Sequence, residues 1–145
     1  MAQNVEHLEA LIGYRLKETQ SVLRSRMDEA LRPLGLTTPQ YACLELLGRS
    51  PGASNSELAR GAFVTRQTMN TLLRSLQDRN LVERSASPVG GRALPTALTK
   101  EGQQLLSSAA TLIEAIEEKM VAGLSVQQRE DLHEFLSQCI TSLRE

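Results

Sequence analysis

The sequence predicts a mainly α-helical chain with one small β-hairpin, and three observations carry that prediction. Apolar residues recur at intervals of three and four through most of the length. Cap residues and Gly or Pro stops cut this pattern into six helices. Between the fourth and fifth, two short extended runs flank the turn-forming stretch Ser87-Pro88-Val89-Gly90-Gly91.

The first helix is expected over residues 5–31. Its inner line is Val5, Leu8, Ile12, Leu16, Thr19, Leu23, Met27 and Ala30, and it stops near Pro33 and Gly35. A second helix opens at Thr38-Pro39, with threonine as cap and proline at the first helical position. It runs through Tyr41, Leu44 and Leu47 to Gly48–Gly52. Ser54 and Glu57 have capping-box spacing and start a third helix, whose inner side is Leu58, Ala59 and Ala62. Gly61 lies just before a break at Phe63-Val64. Thr65 caps a fourth helix that runs to about Asn80.

Residues 81–85 and 93–98 are expected as strands. Pro95 cannot donate to a ladder, so the second should lie at an edge or end its pairing there. Thr99 caps a long fifth helix with the line Leu105, Ala109, Leu112, Ile116 and Met120, ending at Gly123. Ser125 with Gln128 opens the last helix, through Leu132, Leu136, Cys139 and Leu143.

A chain of 145 residues is one domain by length. With no Trp, two Tyr and two Phe, its core must be aliphatic. Cys43 and Cys139 lack metal-ligand spacing, and no disulfide framework is expected. His7 and His133 are read as surface residues. No H-E-x-x-H, G-x-S-x-G or phosphate-binding glycine loop occurs. Catalytic residues, metal and cofactor are therefore expected to be absent. The N-terminus is amphipathic rather than continuously apolar, so neither a signal peptide nor a membrane span is expected, and the cytoplasm is the default location.

Charge distribution is more telling than net charge, which is −1. Arg60, Arg66, Arg74, Arg79, Arg84 and Arg92 stand against only Asp78 and Glu83 in residues 60–92. That segment carries +4, and the rest of the chain −5. Arginine grips phosphates and guanine edges bidentately. On a helical wheel Met69, Leu72, Leu73 and Leu76 face inward. Gln67, Thr71, Arg74 and Asp78 face outward, flanked by Thr68, Asn70 and Ser75. An ordinary surface helix would carry Glu–Lys pairs, and this one has neither residue. Gln, Asn, Thr and Arg match the donors and acceptors of base edges, and they occupy the N-terminal turns that a recognition helix points at DNA.

The chain resembles MarR-type winged helix–turn–helix repressors over nearly its full length. The resemblance rests on LGLTTPQYACLELL, SNSELAR, TRQTMNTLLRSLQDRNLVER, GGRAL and ALTKEG, in that order. It implies a winged helix–turn–helix DNA-binding part at 36–98 within a single 1–145 domain. It also implies dimerisation helices at 1–35 and 99–145, interleaved in a homodimer on a pseudo-palindromic operator in double-stranded DNA. A wing arginine, here Arg92, would enter the minor groove. Family wings commonly carry an acid two residues earlier, where this chain has Gly90, so Arg92 is expected to be less pre-oriented. The expected DNA-contacting set is Ser54, Thr65, Arg66, Gln67, Thr68, Asn70, Thr71, Arg74, Arg84 and Arg92.

The resemblance further implies a small-molecule or redox input near the junction of the two parts. Arg15 borders the apolar stripe of the first helix and is the candidate to hold the carboxylate of an anionic aromatic ligand. Two alternatives stand beside this reading: a cysteine-based regulator using Cys43 or Cys139, and a helical dimer that binds a protein partner on the same scaffold.

Overall fold

A computed structural model describes residues 2–84 and 95–145, with side chains from residue 6 onward. Its elements are α1 (Ala2–Glu9), α2 (Ile12–Leu31), a 3-10 turn (Arg32–Leu34), α3 (Thr38–Arg49), α4 (Asn55–Ala62) and α5 (Arg66–Asp78). There follow β1 (Val82–Arg84), β2 (Thr96–Leu98), α6 (Lys100–Met120) and α7 (Val126–Arg144). The expected turn at 87–91 and the first residues of the second extended run lie outside the described residues.

Four helices start at a hydroxyl cap read from the sequence. Ser54, Thr65, Thr99 and Ser125 each accept a hydrogen bond from the backbone N–H three residues on. Each satisfies one of the amide donors that a helix N-terminus leaves unpaired. For α3 the cap is Thr37, one residue earlier than expected, in a reciprocal capping box with Gln40. Thr38 takes another role. Its backbone N–H (3.2 Å) and its hydroxyl (2.5 Å) both donate to Asp28 Oδ1 on α2. The Thr38 hydroxyl holds the Asp28 carboxyl below its ordinary pKa, and α2 is thereby tied to the start of α3.

The first helix is two helices, not one. Leu11 leaves helical geometry at φ −83°, ψ 130°, and separates α1 from α2. Apolar periodicity reports which face is buried, and the stripe runs on across the break. Gly13, with a helix preference about 1 kcal/mol below alanine, makes this the weak point. The helix α6 stops at Met120, with Val121 at its C-cap, before Gly123 is reached.

The core lies under the helix–turn–helix. Leu31, Leu44, Leu47, Leu58, Met69, Leu73, Leu76 and Val82 are at most 1% exposed, and Ala109 and Ile113 of α6 close it from the far side. Leu72 is half-buried against this cluster. The strands pair antiparallel, with Val82 opposite Leu98 and Arg84 opposite Thr96. Gly61 lets α4 approach α3, since a Cβ there would meet the Leu46 side chain at 2.9 Å. The left-handed turn after α4 falls on Phe63, at φ 59°.

The first and last helices are different. No residue of α7 is buried. Leu132, Phe135, Leu136, Ile140 and Leu143 on α7 are exposed, as are Leu8, Leu11, Ile12, Leu16 and Val22 on α1, α2 and the break between them. Among the described residues no helix is long and apolar enough to cross a membrane, and no cluster of His, Cys, Asp and Glu is arranged to hold a metal ion.

Candidate nucleic-acid interface

The helix–turn–helix is α4, the turn at Phe63–Thr65, and α5. Met69, Leu73 and Leu76 anchor α5 in the core. Spacing on the helix then forces Arg66, Gln67, Asn70, Thr71 and Arg74 to the opposite side, and all five are exposed. They share one face within the first three turns.

Local hydrogen bonds set what these groups can offer. Thr65 Oγ1 accepts from the Thr68 N–H and donates to the Thr68 hydroxyl, both at 3.0 Å. The Thr68 hydroxyl proton is then free to point outward. Thr71 spends its proton on the Gln67 carbonyl (3.2 Å), so it presents lone pairs and a methyl group. Asn70 accepts a hydrogen bond from the Nδ2 of Asn55, the first residue of α4. The capping at Ser54 is one-sided: its hydroxyl accepts from the Glu57 N–H (3.1 Å) and donates to the Glu57 carboxylate (3.0 Å).

The arginines divide by environment. Arg60 and Arg66 are exposed and flank a shallow depression of about 380 Å³ beside Ser56, Ala59 and Val64. Arg60 is an addition to the expected contact set; the sequence places it one turn before the break. Arg79 is already engaged: its guanidinium donates to the carbonyls of Gly35 (2.6 Å) and Leu34 (3.4 Å), bracing the end of α5 against the 3-10 turn. Arg84 is half-exposed on β1, with its Nε buried and without a hydrogen-bond partner among the described residues. Arg92, Gly90 and Gly91 lie outside the described residues.

A second concave site lies between α2 and α6. Val22, Leu23, Ile116 and Met120 form its apolar walls, with Glu18, Thr19, Arg26 and Lys119 around them, and its volume is about 400 Å³. The arginine in this lining is Arg26. Arg15 sits one turn beyond its Glu18–Thr19 end, exposed and paired with Glu18 at 2.6 Å. Arg15, the residue expected to hold a ligand's carboxylate, thus lies outside this lining in the single chain, with its guanidinium paired to Glu18 of the same helix.

The thiols separate cleanly. Cys43 is fully buried, its Sγ 3.6 Å from Met69 Sδ, and burial pushes its pKa up to about 12. A thiol so protonated is a poor nucleophile. Cys139 is exposed on α7. Cys43 is expected to resist iodoacetamide in the native protein and to react only after unfolding. Labelling of Cys43 in the native state, read by peptide mass spectrometry, would contradict this placement.

An α-helical DNA-reading unit followed by a strand pair and carried between long helices defines a winged helix–turn–helix regulator. The chain belongs to the MarR family. The MarR family model matches residues 34–93, a span that includes α3, α4, α5 and β1. The chain is 43% identical to the HTH-type transcriptional repressor Rv2887 of Mycobacterium tuberculosis over 128 residues, 88% of this chain and 92% of the relative. Crystal structures of that protein superpose with TM-scores of 0.72, both in complex with salicylic acid (42% identity, 90% of this chain, 96% of that one) and in complex with DNA (39% identity, 90% and 98%). The transcriptional repressor CouR bound to a 23-mer DNA duplex matches with a TM-score of 0.83 at 28% identity, over 92% of this chain and 94% of that one.

Proposed function

We propose that this protein is a cytoplasmic transcriptional repressor that binds a pseudo-palindromic operator as a homodimer and releases it when an aromatic carboxylate binds. The observation that carries the reading is the outward face of α5. Arg66, Gln67, Asn70, Thr71 and Arg74 are exposed together on a helix whose other side is locked into the core. Asp78, the one acid of the helix, lies in its last turn, away from the end that would enter a groove. The similarity to Rv2887, whose complexes with DNA and with salicylic acid are known, supports both halves of the proposal.

The contacts are proposed to divide by kind. Gln67, Asn70, Thr71 and Arg74 read base edges. Ser54, Thr65, Arg66 and Thr68 engage the backbone near the two helix N-termini, and Arg60 joins them. Arg84 and Arg92 belong to the wing. Arg74→Ala should weaken the cognate site by ~1–3 kcal/mol and leave non-specific binding nearly unchanged. Fluorescence anisotropy on cognate and scrambled duplexes measures both quantities. Equal loss on the two would make Arg74 a phosphate contact.

The cleft between α2 and α6 is the proposed effector site. Its aliphatic walls would cover an aromatic ring, while Arg26 and, after exchange with Glu18, Arg15 offer the carboxylate a cation. Ligand binding lowers operator affinity only if the ligand prefers a lobe spacing that does not fit DNA; a tenfold loss requires about 1.4 kcal/mol of preference. Calorimetry with salicylate should show binding weakened about tenfold in Arg26→Ala, a loss of ~1.4 kcal/mol, and less in Arg15→Ala. Unchanged affinity in both variants would move the effector elsewhere.

A further inference from the structure

The contact between Asn55 and Asn70 ties an exposed side chain of α5 to the neighbouring α4. It joins the two helices of the helix–turn–helix through the side chains of residues fifteen positions apart. Asn55 is half-buried at the first position of α4, while Asn70 is exposed in the second turn of α5. Asn55 Nδ2 donates to Asn70 Oδ1. The other end of the Asn55 amide, Oδ1, is buried and has no partner among the described residues. The large majority of buried side-chain polar atoms are paired, so this one calls for an explanation.

The chemical consequence falls on Asn70. A free asparagine can turn its carboxamide either way, so it can offer a base edge a donor or an acceptor. With one lone pair of Oδ1 taken by Asn55, the orientation of the Asn70 amide is fixed, and its NH2 group is the end without a partner among the described residues. That group donates only. On the floor of the major groove it matches guanine O6 and N7, adenine N7 or thymine O4, and it is mismatched against the cytosine amino group.

We propose that Asn55 is a positioning residue for sequence reading. It holds Asn70 as a hydrogen-bond donor and thereby makes the protein select an acceptor edge at one base pair of each half-site. The inference rests on the reading that α5 enters the major groove. Asn55 itself touches no base, and its effect is transmitted wholly through Asn70. The competing account is a bond that merely braces α4 against α5, and it would leave base preference untouched.

The test is selection from a pool of random DNA duplexes by the full-length wild type, Asn55→Ala, Asn55→Asp, Asn70→Ala and the Asn55→Ala/Asn70→Ala double variant, with melting curves for each. Wild type should enrich one site with an acceptor edge at the position lost in Asn70→Ala. Asn55→Ala should lose about tenfold of the preference at that position alone, and the double variant should bind no worse than Asn70→Ala. A carboxylate can only accept, so Asn55→Asp should turn the Asn70 amide round and shift the preference at that position toward a base presenting an amino group. It also serves as the test should Asn55→Ala melt out. An Asn55→Ala protein that folds and enriches the wild-type site unchanged overturns this inference and leaves the DNA reading standing. Losses in the two single variants that simply multiply in the double would overturn it as well. Failure of the wild type to enrich any sequence would remove the DNA reading, and this inference with it.

Discussion

Gly102→Ala is expected to destabilise the protein by roughly 3 kcal/mol or more, at or above the upper end of the range for overpacked sites. Gly102 is the third residue of α6. A Cβ at this position would lie 2.0 Å from the carbonyl oxygen of Leu81. Backbone cannot swing aside as a side chain can, and this backbone is held on both sides. The Leu81 carbonyl accepts from the Thr99 N–H (3.0 Å), and the Thr99 hydroxyl donates to the Asn80 carbonyl (2.7 Å) and caps Gly102. The chain leaving the recognition helix is thus pressed onto the start of α6, and glycine makes that approach possible. Gly48 provides the contrast. A Cβ there would meet only side-chain tips, the nearer being Leu106 at 2.7 Å, so alanine should cost much less. Urea unfolding at one fixed protein concentration would compare the two. A Gly102→Ala protein as stable as wild type would mean that the chain entering β1 and the start of α6 do not meet in this way.

The second large effect should come from Phe135→Asp combined with Leu132→Asp. Phe135 is 58% exposed and Leu132 41% exposed, and neither supports the core of its own chain. In a protein that worked alone, these substitutions would be nearly silent on stability. If α7 pairs with α1 and α2 of a second copy, each buries a charge in an apolar interface. The double variant is then expected to sediment near 15.9 kDa, the mass of one chain. Operator affinity should fall by at least about 100-fold, because two half-sites would no longer be held by one linked molecule. A variant that stays dimeric, or a monomer that binds as tightly as wild type, would contradict the pairing.

The sequence revealed what local chemistry decides. Ser54, Thr65, Thr99 and Ser125 act within three residues of themselves, so their capping was readable from spacing. The inward line of Met69, Leu73 and Leu76 was readable too, because a helix converts periodicity directly into a face. Other features depend on groups outside the helix that carries them. Thr38 resembled a cap, but Asp28, ten residues earlier, claims it. Arg79 was counted in the basic run of residues 60–92, and two carbonyls more than forty residues earlier occupy it. Asn55 carried no signal because its partner lies on the next helix. Arg15 lies on α2 one turn from the cleft, and a helical wheel does not show that Glu18, three residues on, pairs with it. The break at Leu11 was hidden because the stripe continues across it.

The central claim is that two copies of this chain place two α5 helices on one DNA duplex. The most direct measurement is DNase footprinting, on duplexes selected by the wild-type protein, together with the mass of the complex in solution. The expected result is an inverted repeat whose half-site centres are about 10 bp apart, protected symmetrically, with two chains per duplex and protection lost on adding salicylate. Protection of a single half-site by one chain, or the absence of any enriched sequence, would contradict it.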